Sequence, residues 1–265
     1  MNQKPVKVQS VMRAFQLLEI LMRSHIPLSA IELSQQTDLN RSTVHSLLDT
    51  LIACGYVQRE SNSGKYLPTI KMYALSRVYA VRMPFVRNCE PFASSLAVKY
   101  NFSLNLGVMT QDDSLFIIKE FMPADHQTRT SSYMVPFHAS AIGKIHLAFI
   151  PKEQAERILA EQEMEPLTQY TIRDKETLRR EIETVRRRGY AVVRDEFAYG
   201  YTSYAFPVFD AARNLVGAFS FTGSSDRMAS LPHSFLDEGL QASRDCSVEM
   251  GCLTPPVFFP DEDPV

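Results

Sequence analysis

Between residues 29 and 68 four short elements follow one another in an order that few folds accommodate. Ser29 and Glu32 have the S-x-x-E spacing of a capping box, which opens a helix over 30–36. Residues 37–39 read as a turn. Val44, Leu47, Leu48 and Leu51 then recur at three- and four-residue intervals, the period of a second helix that Asn40 can cap and Gly55 can end. "YVQRESNSGKYLP" follows as two short runs around the turn cluster Ser61-Asn62-Ser63-Gly64, a hairpin with Arg59 and Lys65 near its tip. Helix, turn, helix and hairpin make a winged helix-turn-helix. A preceding helix over 8–23, with Val8, Val11, Phe15, Leu18 and Met22 on one stripe, is expected to supply the third helix of its core.

The polar first turn of the second helix holds Arg41, Ser42, Thr43, His45 and Ser46 and no carboxylate. In a helix-turn-helix this turn meets the base edges of the major groove, where guanine N7 and O6 and the nearby phosphates are acceptors, so donor-rich side chains suit the place. Net charge over the whole chain is −2, which by itself argues against a nucleic-acid partner. The charge is unevenly spread. Residues 1–82 hold 10 Lys+Arg and 5 Asp+Glu, a net +5, and the remainder carries −7. That asymmetry is the footprint of a DNA-binding domain joined to something that should avoid DNA.

Hydrophobic residues at 45% and charged residues at 22% leave ample material for a folded core. No apolar stretch approaches the ~18 residues of a membrane span and the first residues lack an apolar signal region, so a cytoplasmic protein that does not enter the membrane is expected. The 4 Cys are scattered without a C-x-x-C pair, which indicates neither a disulfide framework nor a zinc finger.

After the hairpin a linking helix closes at Pro84. Further helices are expected over 86–100, with Pro91 either in its first turn or kinking it, then 141–149, 151–161, 175–188 and 234–250. A hairpin spans 102–120 around residues 111–114, and strands fall at 190–194, 202–209 and 215–222. Arg186, Arg187 and Arg188 sit at a helix C-terminus, where cations complement the dipole, and this account is preferred to a second DNA contact. Strands mixed with helices and without strict βαβ alternation give an α+β chain with an antiparallel sheet flanked by helices. The expected divisions are a DNA-binding domain at 1–70, a linker helix at 71–84, a sensor-like domain at 85–252 and an irregular tail at 253–265.

Ser10-x-x-Arg13-Ala14, "STVHSLLDTLIACGYV", "PFHASAIGKIHLAF", "YTIRD", "VRRRGYAVVRDE" and "YAFPVFD" occur in an order that resembles the IclR family of bacterial transcriptional regulators, over roughly residues 8–250. The resemblance implies a winged helix-turn-helix, a linker helix and a C-terminal GAF-like effector domain. It further implies dimers or tetramers on palindromic operator DNA and a small organic acid or similar metabolite as effector. Arg13 would hold phosphates, and positions matching Ala141, Ile142, Asp195, Ser203, Ser220 and Thr222 would surround the effector. The chain departs from the family's usual pattern at Asp38 (Gly), Ser46 (Arg), Asp49 (Ala or similar), Ser203 (often Cys) and Phe206 (smaller).

Ser140, Ala141, Ile142 and Gly143 precede or open a helix, so their amides are suited to a carboxylate, and Gly143 would let the backbone approach it closely. Ser203, Ser220 and Thr222 offer neutral hydrogen bonds, and Asp195 and Glu196 follow a strand end. Tyr133, Phe137, Tyr204 and Phe206 would add aromatic bulk, which suits an aromatic acid. His138 and His146 lack a third ligand at convincing spacing, so neither metal nor other cofactor is expected. No G-x-S-x-G, P-loop or H-E-x-x-H occurs, which makes an enzyme improbable. A constitutive DNA-binding protein whose second domain only dimerises is the other reading.

Overall fold

The computed structural model describes residues 7–80, 82–121, 134–232 and 234–258, with the backbone alone at 119–121. The chain divides into two compact units, one ending at Tyr79 and one beginning at Ala80.

In the first unit α1 (Gln9–Arg23), α2 (Ala30–Thr37) and α3 (Arg41–Ala53) precede a two-stranded hairpin of β1 (Val57–Arg59) and β2 (Tyr66–Pro68). The capping box forms on both sides: Glu32 N–H donates to Ser29 Oγ at 3.2 Å and Ser29 N–H to Glu32 Oε2 at 2.6 Å. Asp38 ends α2 in the left-handed region at φ 54°, which its short polar side chain tolerates. Leu33, Val44 and Leu48 are completely buried with Leu17, and Leu18 and Leu21 pack with them.

The face that α1 buries differs from the expected stripe. Leu17, Leu18 and Leu21 enter the core, whereas Val8, Val11, Met12, Phe15 and Met22 are about half exposed or more. Apolar residues cover more than half of the circumference of this helix, so two stripes fit its period and only the packing of α2 and α3 selects one. α4 (Lys71–Ala80) carries the chain onward and buries none of its residues.

The second unit holds a five-stranded sheet of order β4-β3-β7-β6-β5, antiparallel throughout, made of β3 (Ser103–Met109), β4 (Leu115–Phe121), β5 (Ala191–Arg194), β6 (Tyr201–Phe209) and β7 (Leu215–Ser224). α5 (Pro84–Tyr100) and α10 (Ser234–Glu249) cover one face, and α6 (Ala141–Phe149), α7 (Lys152–Glu161) and α8 (Lys175–Arg188) cover the other. α5 starts at Pro84, so Pro91 lies inside it. The short α9 (Ser225–Ala229) carried no signal in the sequence.

Alternation along the strands sorts the side chains. Leu104, Leu106, Tyr204, Phe206, Phe219 and Phe221 pack with α5 and α10. Ala205 and Ala218 pack with α6, which places Ser103, Asn105 and Gly107 of β3, Ser203 of β6 and Ser220 and Thr222 of β7 on that same side. Phe206 fits because α10 has Gly239 against it: a Cβ there would lie 2.2 Å from Phe206 Cζ. Beyond the last helix Phe258 packs on Phe149 and Phe209; residues 253–258 of the expected irregular tail form no helix or strand, and 259–265 lie outside the described residues.

Candidate nucleic-acid interface and effector site

The N-terminus of α3 is held by Asn40, whose Oδ1 accepts from Thr43 N–H and from the Ser42 hydroxyl, each at 2.8 Å. Arg41, Ser42, His45, Ser46 and Asp49 are exposed and Thr43 is half-buried. Among the described residues Arg41 and Arg13 make no ion pair or hydrogen bond through their guanidinium groups. His45 Nδ1 lies 3.3 Å from the Tyr66 hydroxyl, which ties α3 to the hairpin.

The two hairpin cations are engaged within the fold. Arg59 Nε donates to Gly64 O at 2.9 Å, with its guanidinium 5.8 Å from the Tyr66 ring centroid. Lys65 meets the Glu32 carboxylate at 3.4 Å, which links the hairpin to α2. Hydrogen bonds from Ser29, with a smaller contribution from Lys65, hold the Glu32 carboxyl down at about 2. Arg186 and Arg188, at the end of α8, pair with Glu183 and Glu181, and Arg188 lies over the Tyr190 ring.

In the second unit Ser140 caps α6, accepting from Gly143 N–H at 3.0 Å and donating to Pro136 O at 2.6 Å. The Gly143 amide is thereby occupied. Its missing side chain serves packing, since a Cβ would lie 2.5 Å from Phe137 Cα. Among the described residues the amides of Ala141 and Ile142 have no hydrogen-bond acceptor, as the first turn of a helix leaves them.

Below this helix end the sheet face changes character along the strands. Gly107, Ala218 and Pro207 form one row across β3, β7 and β6, and Ile142 occupies the space a Gly107 side chain would take, 2.7 Å from its Cβ position. The next rows are Asn105, Ser220 and Ala205, then Ser103, Thr222 and Ser203. Ser203 and Thr222 hydroxyls bond each other at 2.8 Å. The expected Ser203, Ser220 and Thr222 are thus brought together. Ser103 and Asn105 belong with them and were missed, because the pairing of β3 with β7 joins segments far apart in sequence.

Asp195 does not join this group. Its backbone is left-handed at φ 56°, and its carboxylate accepts from Gly200 N–H at 2.6 Å and from the Ser225 hydroxyl at 3.3 Å, on the side of Thr202. Thr202 and Tyr204 alternate with Ser203, so that side is the one α10 covers. For the same reason Tyr204 and Phe206 cannot line a site facing α6; they belong to the aromatic cluster around Phe235. Phe137 is a buried core residue beside Gly143, and Tyr133 lies outside the described residues.

Glu196 does turn toward α6, where its Oε1 takes Lys144 Nζ at 2.6 Å in a buried pair. Burial outweighs the lysine and raises the Glu196 carboxyl above its ordinary range. His146 is buried on the same helix, its Nδ1 2.8 Å from Ile142 O, and burial pushes its pKa down to about 4. Among the described residues no cluster of three or more His, Cys, Asp or Glu could hold a metal ion. No helix among them is long and apolar enough to cross a membrane.

The model of the bacterial transcriptional regulator IclR C-terminal domain matches residues 77–248, and that of the IclR helix-turn-helix domain matches residues 10–61. The chain belongs to the IclR family. Among relatives, the regulator KdgR of Dickeya chrysanthemi is 28% identical over 255 residues, covering 95% of this chain and 83% of that protein. The DNA-binding transcriptional repressor YiaJ of Escherichia coli is 29% identical over 232 residues, covering 86% and 82%. The solved structure of an IclR regulator from Alicyclobacillus acidocaldarius superposes with TM-score 0.79 at 21% identity, covering 93% of this chain and 99% of that one. An IclR homologue from Microbacterium hydrocarbonoxydans, described in complex with 4-hydroxybenzoate, gives TM-score 0.77 at 18% identity over 91% and 99%. As a member of the IclR family the chain is a transcriptional regulator with an N-terminal helix-turn-helix for DNA and a C-terminal effector-binding domain.

Proposed function

We propose that this regulator binds palindromic operator DNA in the cytoplasm as a homodimer, itself able to pair into a tetramer, and that a small organic acid gates the binding. The carrying observation is the first turn of α3: Arg41 is exposed and, among the described residues, without an ion-pair partner, beside His45 and Ser46 and with no carboxylate in that turn. Arg41, His45 and Ser46 meet base edges and phosphates in the major groove, while Ser42 and Thr43 hold the cap that aims them. Arg59 follows the backbone from the hairpin, Arg13 takes a phosphate, and Lys65 positions the hairpin. The half-exposed apolar side of α1, Val8, Val11, Met12, Phe15 and Met22, suits a second copy of the chain, since palindromic half-sites present two-fold symmetry.

The effector's carboxylate lies at the Ala141 and Ile142 amides, above the polar rows of β3, β6 and β7. The acid bound by the Microbacterium homologue supports this class of ligand. Tyr204 and Phe206, on the other face of the sheet, do not supply the aromatic bulk expected of them, so the support for an aromatic acid is the homologue's 4-hydroxybenzoate. Binding acts on DNA only through a difference in effector affinity between two arrangements of the dimer. Fluorescence anisotropy at one salt concentration tests the interface. Arg41→Ala is expected to weaken operator binding by about 1–3 kcal/mol if it reads a base. Unchanged affinity would exclude α3 as the reading helix.

A further inference from the structure

The polar rows hold a side chain that the fold leaves without a partner. Asn105 is 8% exposed at the middle of β3, and its Oδ1 is buried with no hydrogen bond. Its side-chain amide makes no hydrogen bond to any described residue. Directly across the register stands Ser220, 4% exposed, whose hydroxyl likewise has no partner among the described residues. Buried polar groups are bonded in nearly every native protein, so the unpaired Asn105 Oδ1 calls for an outside group, with the Ser220 hydroxyl beside it.

Their placement says where it comes from. Asn105 lies two residues along β3 from Gly107, on the same face, and Gly107 is the residue that Ile142 at the start of α6 packs over. The unpartnered amide and hydroxyl therefore border the helix end whose Ala141 and Ile142 amides are free. A carboxylate on those amides presents the rest of its molecule to Asn105 and Ser220. The Asn105 Oδ1 needs a donor, and a carboxylate at neutral pH has none. An alcohol supplies one, and its oxygen can in turn accept from the amide nitrogen or from Ser220.

We propose that Asn105, with Ser220 beside it, recognises a hydroxyl group on the effector, which makes the ligand a hydroxylated carboxylic acid. This rests on the organic-acid reading of the effector site. It adds a specificity determinant to that site: a matching hydroxyl is favoured, and a plain hydrocarbon chain leaves the buried Asn105 Oδ1 unpaired.

The test is isothermal titration of the full-length protein with acids that differ by one hydroxyl: propionate, lactate and glycerate, then benzoate and 4-hydroxybenzoate. In at least one series the hydroxylated member should bind about tenfold tighter, the worth of one well-made hydrogen bond. Asn105→Leu should abolish that preference while leaving the melting temperature of the free protein equal or higher, because it removes an unpaired buried amide. Ser220→Ala should reduce the preference without abolishing it. If acids bind but their hydroxyls bring no gain, or if both variants keep the gain, the proposal is overturned and the organic-acid reading stands. A large loss of melting temperature in Asn105→Leu, with the preference intact in Ser220→Ala, would make Asn105 structural and overturn it too. If no acid in either series binds, both readings fail.

Discussion

Gly143 and His146 each do something at the α6 end that their residue type alone does not announce. With a Cβ position 2.5 Å from Phe137 Cα, Gly143→Ala forces its methyl group against the Phe137 backbone, which cannot yield as a flexible side chain would. Equilibrium unfolding followed by circular dichroism should show a loss of about 1–3 kcal/mol, the usual range for overpacking. His146 is held neutral by burial, its pKa pushed to about 4 from 6.5. The unfolded chain takes up the proton near 6.5, so the stability tied to the neutral ring is full above that pH and drains away as pH falls toward 4. Glu196, raised by burial, acts in the opposite sense, so the comparison must be made within one background. His146→Leu should shift the acid unfolding midpoint to lower pH than in the wild-type chain. An unmoved midpoint would place the acid-sensitive group elsewhere.

At the scale of elements, legibility followed how local the cause was. The capping box at Ser29, the Asn40 cap and the turn at Asp38 all act within a few residues, and each stands where the sequence placed it. Which side of an element is buried depends on what packs there. α1, apolar over more than half of its circumference, was assigned the wrong face for that reason. Strand faces were lost in the same way: Ser203 and Tyr204 are neighbours in sequence, yet the pleat sends one toward α6 and the other toward α10. Asn105 could not be grouped with Ser220 before β3 was known to pair with β7, across more than a hundred residues. The contact of Lys65 with Glu32 was not legible because the two lie in different elements. The exposed side of α1 makes its own prediction. Replacing Val11 and Phe15 together by Glu should leave the fold's core intact and shift the protein toward monomer in light scattering. A dimer of unchanged strength would locate the contact on another surface.

For the whole molecule the two units carry opposite charge balances, and the regulator's behaviour is the linkage between them. Effector and operator affinities must change by the same factor, whichever is bound first. The most direct measurement is fluorescence anisotropy of the full-length protein on a duplex from beside its own gene. A scrambled duplex of equal length serves as control, at one fixed salt concentration, with and without a hydroxylated acid such as glycerate or lactate. Selective binding to the first duplex, changed several-fold by an acid that Asn105→Leu no longer distinguishes from its deoxy partner, is the result predicted. Equal, salt-sensitive binding to both duplexes that no acid alters would contradict ligand-gated operator recognition.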